Sequence, residues 1–125
     1  MRQVAVGLNF ADTYFRSGLY PIPLPNGLGV EAAGVVEEVG EGVRNVVVGD
    51  RVSYTGFVDT LGAYATERLV LAGPLVALPE SISFETAAAM TMRGLTAAYL
   101  VRRVHSFTSG DTILVHAAAG GVGSI

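Results

Sequence analysis

The residues of this 125-residue chain with most obvious chemistry form the segment VHAAAGGVG at 115–123. Ala117, Gly120 and Gly123 fit the spacing A-x-x-G-x-x-G, with Gly121 and Val122 between the glycines. Side chains this small let a backbone approach a pyrophosphate, whose charge is stabilised by amide N–H groups and the start of a following helix. A tight strand-to-helix crossing without a ligand would use the same residues. The helix and ribose-binding acid that would decide between the two lie beyond Ile125. A second group occupies 9–20, NFADTYFRSGLY, where polar and aromatic residues alternate irregularly. The phenol of Tyr14 is able to donate a hydrogen bond to a substrate carbonyl and stabilise charge developing there. A half-buried tyrosine with its hydroxyl at the surface is the plainer account. Asn9 and Asp12 are residue types that ordinarily serve turns and caps. Thr96 has the usual alternative of bonding back to its own helix carbonyl.

Other polar residues carry weaker signals. Glu31 reads as a buried structural acid in need of a partner, with Arg93 or Arg51 as candidates. Arg16 and Arg93 have the charge to attract phosphates, but exposed arginines commonly just solvate a surface. His116 precedes the glycine loop and packs there as a neutral side chain in the simpler reading; His105 has no role.

Composition removes several classes of function. Half the residues are hydrophobic, 15% are charged and the mean hydropathy is +0.48, so the chain has what it needs for a packed core and is not disordered by composition. The absence of cysteine excludes disulfides, zinc–thiolate sites and iron–sulfur clusters within these residues. All eight basic residues are arginine, so neither a Schiff-base nor a P-loop lysine is available. A net charge of −3 and an isoelectric point near 5.2 leave no basic stripe for nucleic acid. No apolar run approaches the ~18 residues a membrane span needs, and residues 1–3 do not begin a signal peptide. The expectation is a cytoplasmic protein bound to neither nucleic acid nor membrane.

The elements that must position these groups are short. Residues 4–8 read as a buried strand, and 9–20 as a loop with a helical turn. Pro21, Pro23 and Pro25 interrupt regular structure, and Asn26-Gly27 signals a turn. Further strands are expected at 32–39, 51–54, 63–71 and 75–78, the last stopped by Pro79. Short strands joined by Gly/Asp turns suggest a small β-barrel or sandwich. From residue 82 the character changes: Ser83 is suited to an N-cap, Glu85 falls in the first turn, and 84–104 reads as helix split or bent at Gly94. A turn at 109–111 and a strand at 112–115 lead into the glycine loop.

Taken together in this order, LNFADTYFRSGLY, GLGVEAAGVVEEVGEGV, VGDRV, GAYATE, RGLTAAYL and HAAAGGVG resemble the quinone oxidoreductase (zeta-crystallin-like) branch of the medium-chain dehydrogenase/reductase superfamily. The resemblance covers nearly the whole chain. It implies a mainly β fold with some α: a GroES-like β-barrel catalytic domain at 1–82 lacking its first strands, an interdomain helix region at 83–110, and at 111–125 the first strand and glycine loop of a truncated Rossmann domain. Family members begin earlier and continue well past this end, so the chain is expected to be a fragment. The implied activity is that of an NADPH-dependent quinone reductase, with NADPH and a small quinone in a cleft between the domains and the full-length parent a homodimer. By the same resemblance Tyr14 and Asn9 are catalytic; Phe10, Asp12, Thr96, Gly120, Gly121 and Val122 meet the cofactor. Zinc-dependent relatives carry a cysteine near the position of Asp12 and a histidine where Val30 stands, so the resemblance implies a zinc-free enzyme.

Two other functions stay open at this point: a zinc-free enone or enoyl (haloacrylate-type) reductase of the same superfamily, and a stand-alone GroES-like module that binds partners and catalyses nothing. The 125-residue chain by itself, holding half a cofactor cleft, is expected to be inactive.

Overall fold

The computed structural model describes residues 1–56 and 61–125. They divide into two compact units, Met1–Thr91 and Met92–Ile125.

The first unit is built on a four-stranded antiparallel sheet in the order β1 (Arg2–Gly7), β2 (Glu31–Val35), β3 (Arg51–Thr55), β4 (Val76–Ala77). β2 and β3 sit in the middle, where both neighbours satisfy their backbone groups. The core follows from that position. Ala32 and Tyr54 pack with Ala63; Ala33 packs with Ala87 and Ala88; Val36, Val46 and Val52 close the third cluster. The small residues of β2 let α2 (Phe84–Tyr99) lay its first turns directly on the strand. Arg51 ties down the entry to that helix, donating to the carbonyls of Pro79 at 2.8 Å and Ile82 at 2.6 Å while its guanidinium covers the Phe84 ring.

Several expectations need correction. The strand expected at 4–8 is β1, which starts earlier and is not buried: its residues alternate, and Val4 and Val6 are exposed. The loop expected at 9–20 is mostly a helix, α1 (Phe10–Ser17), closed by Gly18, whose N–H bonds the Phe15 carbonyl. The strand expected at 63–71 is absent. That segment makes a single bridge, Arg2 to Glu67, because the Gln3 side chain takes the carbonyls of Ala63 and Ala65 that a ladder would have used. Ser83 does cap α2, accepting the N–H of Thr86 at 3.1 Å. Gly94 neither splits nor ends the helix, which runs on to Tyr99 and continues as a π-helical stretch, Leu100–Val104.

In the second unit the turn at 109–111 is present, with Asp111 Oδ2 accepting the N–H of Thr108 at 2.7 Å. Residues 112–115 belong to no ladder, contrary to the expected strand. An apolar β-branched run adopts strand geometry when a neighbour satisfies its N–H and C=O groups, and among the described residues none pairs with it.

Candidate functional site

The N-terminus of α1 gathers four of the predicted residues, Asn9, Phe10, Asp12 and Tyr14, within two turns. Asn9 is the N-cap and Asp12 the third helical residue, so the helix start closes on itself: Asp12 Oδ2 accepts the N–H of Asn9 at 2.8 Å. The Asn9 amide donates to Glu31 Oε2 at 2.8 Å. Glu31 is 1% exposed, on the central strand β2, and this bond supplies one partner for it. Arg51, one candidate for that partner, is turned to the carbonyls that lead into α2.

Asp12 is 3% exposed, and its second oxygen, Oδ1, meets no hydrogen-bond partner among the described residues. Its Oδ2 takes a second bond, from the hydroxyl of Tyr64 at 2.8 Å. Tyr64 belongs to the motif GAYATE but was not among the residues singled out. Its partner lies 52 positions away in the chain, a distance at which spacing carries no signal. Desolvation, the bond to Asp12 and the charge on Asp12 together push the Tyr64 phenol up to about 12.

The opposite side of α1 is open. Phe10 is 81% exposed, and Tyr14, one turn later on the same face, is half-buried with its ring edge-on to Tyr20 at 5.3 Å. The Tyr14 hydroxyl makes no hydrogen bond among the described residues. The helix thus buries its carboxylate and presents an uncommitted phenol, a side-chain amide held by Glu31, and a bare aromatic ring. A flat heterocycle with a carboxamide calls for this set of groups: a ring to stack on and short polar side chains at its edge.

The remaining predicted residues lie in the second unit. Thr96 Oγ1 bonds back to the Met92 carbonyl at 2.8 Å, the ordinary habit of a helical threonine. Gly120, Gly121 and Val122 form a tight turn in which Gly120 N bonds Ala117 O at 2.7 Å and Ser124 N bonds Gly120 O at 3.0 Å. Arg93 packs on this turn, so close that a Cβ on Gly121 would stand 2.7 Å from its Nε. Among the described residues no three histidine or acidic side chains come together as a metal cluster, and no helix is long and apolar enough to cross a membrane.

Residues 1–101 match the alcohol dehydrogenase GroES-like domain. The chain belongs to that family. This GroES-like chain is 54% identical over 124 residues to a quinone oxidoreductase of Pseudomonas aeruginosa, covering 98% of the chain and 38% of that protein. A 2-haloacrylate reductase of a Burkholderia species is 44% identical, covering 100% of the chain and 39% of the relative. The crystal structure of Escherichia coli quinone oxidoreductase complexed with NADPH superposes with a TM-score of 0.92 at 50% identity, covering 98% of this chain and 37% of that one. The expected fold class, mainly β with helices and a GroES-like domain, is therefore correct, and the chain spans little more than a third of the length of the relatives it matches.

Proposed function

We propose that the full-length protein carrying this chain is a zinc-free, NADPH-dependent reductase of small quinones. The observation that carries the reading is the start of α1, where the open face carries the Tyr14 phenol and the exposed ring of Phe10 while the amide of Asn9 is anchored on Glu31. The names of the similar proteins, quinone oxidoreductases in one case complexed with NADPH, support it.

NADPH when bound supplies the hydride, so the chain's own contribution is positioning and electrostatics. In this reading Asn9 holds the carboxamide edge of the nicotinamide, and Phe10 and Asp12 form the wall behind it. Tyr14 donates its proton to a hydrogen bond with the quinone oxygen, where negative charge grows as the ring is reduced. A phenol in its neutral form suits this, because it donates without bringing a charge into the site. In the second unit, Gly120, Gly121 and Val122 are assigned to the cofactor's phosphates and Thr96 to its nicotinamide end, with 111–125 read as the opening of a nucleotide-binding α/β domain. The full-length protein is proposed to be a cytoplasmic homodimer, and residues 1–125 alone to turn over no quinone.

The test is NADPH oxidation by the purified full-length protein with 1,4-benzoquinone against an α,β-unsaturated acid and ketone. Quinone turnover with NADPH preferred over NADH supports the reading, and its absence removes it. A second reading, reduction of a haloacrylate-type double bond, is favoured by the 44% identical 2-haloacrylate reductase. It predicts turnover of the unsaturated acid with quinones left untouched.

A further inference from the structure

We propose that Tyr64 is the positioning residue of the α1 site: through Asp12 it fixes the start of the helix, and with it the orientation of Asn9. The proposal rests on the assignment of Asn9 and Tyr14 made above.

The geometry joins two segments at one atom and a third through Asn9. Asp12 Oδ2 accepts both the Tyr64 hydroxyl and the N–H of Asn9, each at 2.8 Å. Asn9 in turn reaches Glu31 on the central strand. A shift of the Asp12 carboxylate therefore moves Asn9, whose amide is anchored on Glu31. Asp12 has little in reserve to resist such a shift. It is nearly inaccessible, and Oδ1 already lacks a partner among the described residues, so water does not readily replace a lost donor.

Tyr64 is itself held on its far side. Gly29 has φ of +93°, and a Cβ there would lie 2.6 Å from Tyr64 Cδ1 and 2.9 Å from its backbone nitrogen. The Cδ1–Cε1 edge of the ring lies against that glycine, and the N–H of Tyr64 bonds the Leu28 carbonyl at 3.0 Å. With ring and backbone both fixed, the hydroxyl has one direction in which to point. Its raised pKa keeps it a donor throughout the neutral range. A tyrosine 44% exposed that spends its hydroxyl on a buried carboxylate, rather than on solvent, is placed for that carboxylate.

Tyr64→Phe keeps the ring on Gly29 and deletes one hydroxyl. In the full-length protein, deuterium exchange at the Asn9 amide and in the first turn of α1 should quicken about tenfold, as expected for loss of one hydrogen bond to a charged group, while β2 and β3 exchange as in the wild type. NADPH dissociation, followed by nicotinamide fluorescence, should weaken about tenfold, with turnover at saturating NADPH changed less than twofold. Unchanged exchange at Asn9 overturns the proposal. Exchange quickened evenly over α1, β2 and β3 also overturns it, since that reports a general loss of stability. If the wild type binds no NADPH, the functional reading fails, and the exchange pattern still decides whether Tyr64 holds the helix start.

Discussion

At the start of α1, Asn9 and Asp12 are held by side chains that arrive from β2 and from Tyr64. At 117–124 the glycine-rich turn is held by its own backbone, through bonds three and four residues long. The difference is one of range. The first region exists only when distant segments meet, so single atoms there carry large consequences. In the second, local amides and carbonyls satisfy each other, and side chains matter chiefly by being small.

Substitutions should separate the two regions. The largest effect is expected from Gly29→Ala, because a methyl group at φ of +93° would press into the Tyr64 ring. We expect a loss of about 3 kcal/mol in urea denaturation. A loss below about 1 kcal/mol would show that Tyr64 moves aside freely, and the long-range lock would lose its footing. Asp12→Ala comes next. It removes the helix N-terminal acceptor and strands the Tyr64 hydroxyl, for an expected loss of about 2 kcal/mol. Gly94, in the second unit, shows the opposite behaviour. It sits inside α2 with open space where a Cβ would go, so Gly94→Ala should raise the melting temperature, corresponding to about 0.5–1 kcal/mol.

The smallest effect is electrostatic. Tyr64 ionises near 10 in an unfolded chain and near 12 in the folded one, so the native state binds its proton more tightly. Stability is intact below pH 10 and falls as pH rises from 10 towards 12. Burial also raises Tyr54, which adds a decline of the same sign. The contribution of Tyr64 is therefore the difference between the wild type and Tyr64→Phe, measured by denaturation at several pH values. Because the phenol is partly exposed, solvent screens it and the difference should be modest; equal slopes would mean that neither burial nor Asp12 biases the phenol.

The same contrast of range decides how much was legible in the sequence. Ser83 and the helix it starts were readable because cap and helix are adjacent residues. β2 and β3 announced themselves as short segments set off by Gly/Asp turns. The helix α1 was taken for a loop because its face is patterned for a site rather than a core: Asp12 is buried while Phe10 is bare. A signal was present in Asn9, Asp12 three residues on, and Gly18 at the far end, the marks of a capped helix. The residues 63–71 failed in the other direction, since their apolar pattern promised a strand that the Gln3 side chain pre-empts. Residues 112–115 have the composition of a strand but, among the described residues, no strand that pairs with them. Tyr64 was invisible because nothing within GAYATE hints at Asp12 or at the glycine beneath its ring.

The most direct measurement is stopped-flow oxidation of saturating NADPH by 1,4-benzoquinone in the full-length protein and in its Tyr14→Phe variant. The account predicts turnover in the wild type and a rate about 100-fold lower in the variant, with NADPH affinity nearly unchanged, because the lost hydroxyl acts where charge develops. A wild type that leaves NADPH unoxidised, or a variant that reduces quinone as fast as its parent, would contradict it.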